Sequence, residues 1–61
     1  MQIKARYAAL GLRRRPASVE EIERRYFVEM ERFKDSTKTH RAARRMLREA
    51  RAACLEEIGY E

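Results

Sequence analysis

Ser18 stands three residues ahead of Glu21, and Val19, Ile22, Tyr26, Met30 and Phe33 then recur at intervals of three and four. The pair is a capping box. The serine oxygen can accept the backbone N–H of Glu21, and the glutamate can reach back to the N–H of Ser18. Such a cap is worth about 1 kcal/mol, and the apolar recurrence gives the helix behind it a single buried face. Glu20 and Glu21 lie where the positive end of the helix dipole favours acids. Glu20 with Arg24, and Glu21 with Arg25, add pairs in the favourable i,i+4 order. The pattern predicts a helix over 18–34.

The flanking segments follow the same period. Ile3, Tyr7 and Leu10 fall on one face of a short helix over 3–10 that Gly11 can terminate, and Arg13 to Pro16 read as a linker. Asp35, Ser36, Thr37, Lys38 and Thr39 read as a loop whose hydroxyl residues can cap either neighbour. From His40 to Ile58 a third helix carries Ala43, Leu47, Ala50, Cys54 and Ile58 on one side, with Gly59 as its stop. Arg41, Arg44, Arg45, Arg48 and Arg51 fall on the other side. So short a loop forces an antiparallel pair, and Ala43 and Ala50 allow close approach. The expectation is one all-α domain over 1–61, a short first helix followed by an antiparallel helical hairpin.

Composition agrees with helices and sets the scale of the core. Leu, Ile, Val and Phe supply 11 of 61 residues, close to the level at which high charge favours disorder. Nine alanines, three methionines and three tyrosines offset that shortage. The core is marginal all the same. A single cysteine, Cys54, allows no internal disulfide and suits a reducing cytoplasm. No apolar run approaches the roughly twenty residues that span a bilayer, and Met1 to Arg6 lack the apolar centre of a signal peptide. A soluble cytoplasmic protein without a membrane partner is expected. The net charge of +5 is segmented. Residues 18–35 hold six acids and four bases, whereas 38–51 hold six bases and one acid, so helices attract one another beside a basic surface.

Tyr7, Leu10, Gly11 and Leu12, then Pro16, Ala17 and Ser18, then Glu21, Ile22 and Tyr26 stand in an order that resembles the first half of a J-domain, the helical module through which DnaJ-type co-chaperones engage a DnaK-type ATPase. The resemblance is strongest from Tyr7 to Tyr26 and extends over the chain as architecture. It implies a J-like three-helix fold and a protein partner, a DnaK-type chaperone being the family's own. In the family a His-Pro-Asp tripeptide follows the second helix, and ATPase stimulation depends on it. Here the chain reads Phe33, Lys34, Asp35, Ser36, with neither His nor Pro, so stimulation is not expected. Phe27 and Val28 occupy positions usually basic in the family. If the family's contact surface is reused, Arg24, Arg25, Phe27, Val28, Lys34 and Asp35 carry the partner contact.

The residues offer little for catalysis. His40 is the lone histidine and reads as a solvated residue at a helix start, and no Ser or Cys nucleophile has a base within helical reach. One Cys and one His do not make a zinc site, and Cys54 reads as a buried thiol. No glycine-rich phosphate loop is present, so no enzyme, metal or cofactor is expected. The stripe of Arg41, Arg44, Arg45, Arg48 and Arg51 has two readings: a solvated face, or a phosphate-binding surface of a small nucleic-acid adaptor. No aromatic interleaves that stripe to stack on bases. Arg44 and Arg48 are both expected opposite the apolar seam. Phe27 and Val28 fall off the apolar face of their helix; they either mark a partner site or, for Phe27, tuck against the first helix.

Overall fold

A computed structural model of the chain describes residues 7–16 and 18–59. Three helices and no strand occur among them: α1 over residues 7–9, α2 at Val19–Arg32 and α3 at Lys38–Glu57. The all-α expectation holds. Ile3, expected on the face of the first helix, and Ala17, expected in the turn, lie outside the described residues.

α1 ends as its sequence requires. Gly11 adopts φ +74° and sends its N–H to Ala8 O at 2.9 Å, while Leu12 N–H reaches Tyr7 O at 2.8 Å. These two bonds close a Schellman motif, which needs the left-handed conformation that glycine adopts without strain. A Cβ on Gly11 would also strike the Arg25 guanidinium. Arg25 Nε donates to Leu10 O at 2.8 Å, so α2 itself caps the end of α1.

α2 opens on its Ser18 cap, with Glu21 N–H donating to Ser18 Oγ at 3.2 Å. It closes at Arg32 and not at residue 34, because Phe33 leaves helical geometry at φ −120°, ψ 43°. The carbonyl of Phe33 is taken by Arg44 Nη1, reaching across from α3. α3 begins two residues before the expected His40. Thr37 is its N-cap, and its Oγ1 accepts His40 N–H at 3.2 Å. Gly59, at φ +79°, stops it. Only residues 33–37 remain between the two helices. Glu23 meets Arg51 near one end of the hairpin and Phe33 meets Arg44 near the loop, so α2 and α3 run antiparallel.

The core lies between the hairpin and α1. Tyr7, Leu10, Ile22, Leu47, Ala50 and Cys54 are buried, with Tyr26, Met30, Phe33 and Ile58 packed partly against them. Ala50 is fully buried in the seam, whereas Ala43 is half-buried. Glu29 joins the core at 6 % exposure, where Arg25 Nη2 approaches it at 2.9 Å and Arg32 Nη1 at 3.2 Å. These two cations offset the cost of burying the carboxylate.

Candidate functional site

The residues expected to meet a protein partner divide into two groups. Arg24 is exposed on the outer face of α2 and has no ion-pair partner among the described residues. Val28, one turn on, is 40 % exposed, and its neighbour Phe27 is 65 % exposed. Phe27 therefore does not tuck against α1. Lys34 and Asp35 are exposed in the loop, with Lys34 Nζ 4.0 Å from Glu31. Arg25 belongs elsewhere. Its guanidinium donates to Leu10 O and to Glu29, so it braces α1 against α2. The expected Glu21–Arg25 pairing gives way to this, and Glu21 instead lies 3.4 Å from Arg14.

The arginine stripe of α3 divides as well. Arg41, Arg45 and Arg48 are exposed, Arg45 lying 3.6 Å from Glu49. Arg44 is half-buried and donates to Phe33 O and, at 2.6 Å, to Asp35 O. It fastens the loop to α3, which corrects its expected place opposite the seam. Arg51 Nε donates to Glu23 Oε1 at 2.6 Å, and its guanidinium carbon stands 5.3 Å from the Tyr26 ring centroid. Two of the five arginines thus hold the hairpin together, and three face outward.

His40 corrects the solvated reading. Its ring meets Phe33 edge-on with centroids 5.4 Å apart, and Nδ1 is buried without a hydrogen bond. Asp35 Oδ2 lies 3.6 Å from that nitrogen, just beyond hydrogen-bonding range. The signal was present in the spacing, since His40, Leu47 and Cys54 follow one another at intervals of seven along one face. Glu29 was equally legible, seven residues after Ile22 and four after Arg25. Met46, 53 % exposed, carries no comparable signal.

At the far end of the hairpin, Glu57 gathers the first segment of the chain. Its backbone carbonyl accepts Arg15 Nη2 at 2.8 Å, and its carboxylate charge bears on the Tyr7 phenol. Burial raises the Tyr7 pKa above its ordinary value, and the Glu57 charge adds to the rise while Arg15 opposes it. The described residues enclose no pocket and gather no group of three metal-ligating side chains. None of their helices is long and apolar enough to cross a membrane. What this architecture offers a ligand is surface: an apolar pair beside Arg24 on α2, and a row of outward cations on α3. Comparison with protein-family models, with curated proteins and with solved structures finds no match for the chain.

Proposed function

We propose that the chain is a non-catalytic protein-interaction module of the cytoplasm, a J-like helical hairpin whose chaperone-stimulating loop is altered. The reading is carried by Phe27 and Val28, adjacent, apolar and exposed beside Arg24 on the outer face of α2. Adjacent exposed apolar side chains are surface that the fold itself does not use. The residues of the J-domain resemblance also build the core here, Tyr7, Leu10 and Ile22 among them. Arg24, Phe27, Val28, Lys34 and Asp35 form the docking surface, and Arg25 supports it from beneath.

A photo-crosslinking side chain placed at Val28 in the native host should give a discrete protein adduct that Arg24→Glu removes. Equal adducts from Val28 and from Glu56, on the outer side of α3, would sink the assignment of the surface. The altered loop leads to a second expectation: a molar excess of the protein leaves single-turnover ATP hydrolysis by a DnaK-type chaperone unchanged. Acceleration that disappears in Asp35→Ala would show that the loop still stimulates.

A second reading is favoured by Lys38, Arg41 and Arg48, which are exposed and have no ion-pair partner among the described residues. They make α3 the binding face of a small basic adaptor for nucleic acid.

A further inference from the structure

The sequence places no aromatic within the arginine stripe, but the fold brings one to it. Glu23 and Phe27 are one turn apart on α2, and the bond from Arg51 to Glu23 fixes which edge of the hairpin they occupy. The cation–π contact between Arg51 and Tyr26 sets the same register. On the antiparallel α3, one turn from Arg51 toward the loop is Arg48, and Arg41 lies two turns beyond it. Phe27 and Arg48 therefore stand at the same level on one edge, a ring 65 % exposed opposite an exposed guanidinium. Of the acids level with these cations, Glu23 holds Arg51 and Glu31 faces Lys34.

We propose that this edge binds single-stranded nucleic acid, with Phe27 stacking on a base while Arg48 and Arg41 track the phosphates. The inference rests on the second reading above and names its ligand. Arg41 and Arg48 are about 10 Å apart along the helix, enough for two or so nucleotides of one strand. A duplex fits less well. To enter a groove α3 would have to present its outward side, where Glu49 and Glu56 are exposed and would repel phosphates. A strand lying along the edge between α2 and α3 avoids both. Bases stack on an aromatic face whatever their identity, so binding is tolerant of sequence.

The test uses the whole chain and a labelled oligothymidine of about fifteen nucleotides, beside the same strand paired with oligodeoxyadenosine, followed by fluorescence anisotropy over a salt series. The single strand binds more tightly than the duplex, and affinity falls with salt by about 0.7 log units per phosphate neutralised, per log unit of salt. Phe27→Ala weakens single-strand binding about 5- to 100-fold and leaves the salt slope unchanged. Arg41→Gln with Arg48→Gln makes the slope shallower by about 1.4. Val28→Asp, on the α2 face away from this edge, tests the boundary with the protein-docking surface and changes binding less than Phe27→Ala does. These exposed positions leave the helical circular dichroism intact. No binding at low salt overturns both this proposal and the adaptor reading. Binding that prefers duplex, or that ignores Phe27→Ala, overturns the single-strand assignment and leaves only a basic face.

Discussion

Arg44 and Arg45 are neighbours in the sequence and have opposite employment. Arg45 projects into solvent beside Glu49, an exposed i,i+4 pair of the kind that contributes only a few tenths of a kcal/mol. Arg44 turns inward and donates to the carbonyls of Phe33 and Asp35. Those carbonyls leave the end of α2 and have no helical partner, so a cationic donor there replaces a cap. Hydrogen bonds from a charged donor contribute more than neutral ones. Arg44→Ala should therefore cost about 1–3 kcal/mol in urea unfolding, and Arg45→Ala about 0.5 kcal/mol or less. Equal shifts in the two midpoints would refute the capping role. The same geometry explains why a reversal of Arg44 is a poor probe of nucleic-acid binding, since it would release the loop as well as remove a surface charge.

The elements were legible where their own residues decide them. Ser18 and Glu21 set the start of α2, and the apolar recurrence identified Ile22, Leu47, Ala50 and Cys54 as core. Both glycine stops carry the positive φ that their positions suggested. The boundaries around the loop were less legible, because Ser36, Thr37 and Thr39 all have hydroxyls able to cap. Thr37 is the one whose Oγ1 meets an N–H. Only its place in the folded hairpin decides that choice. The candidate sites were legible in residue type and not in partnership. A stripe of five arginines is visible on a helical wheel, but whether an arginine faces water or an acid depends on the neighbouring helix. Glu23 claims Arg51, and Glu29 with Leu10 O claims Arg25. α3 also runs against its own dipole, with bases gathered toward its N-terminus and Glu56 and Glu57 at its end. Arg15 offsets part of this from outside, by donating to the Glu57 carbonyl.

Across the whole molecule, the hairpin alone leaves its core incomplete. Tyr7 and Leu10 belong to the first segment and are members of the buried core cluster, so α1 must stay docked for the core to close. Leu10 is held through Arg25, and the segment's other anchor is at the end of α3, where Tyr7 and Arg15 both meet Glu57. The buried phenol of Tyr7 is accommodated as the neutral form, since its ionised form would lose solvation and meet the Glu57 charge. Its burial and the nearby Glu57 charge raise its folded pKa above the ordinary value of about 10. A group whose folded pKa is raised binds its proton more tightly in the native state. Its contribution is fully present below the unfolded pKa and is lost as pH rises through the folded one. Stability should accordingly fall as alkaline pH passes about 10, as α1 loses its hold on α3. Tyr7→Phe keeps the ring in the core and removes the titrating group. Its thermal midpoint, measured from neutral pH to about pH 11, should decline less steeply than that of the parent. Parallel decline in the two proteins would show that Tyr7 does not couple the first segment to the end of the hairpin through its proton.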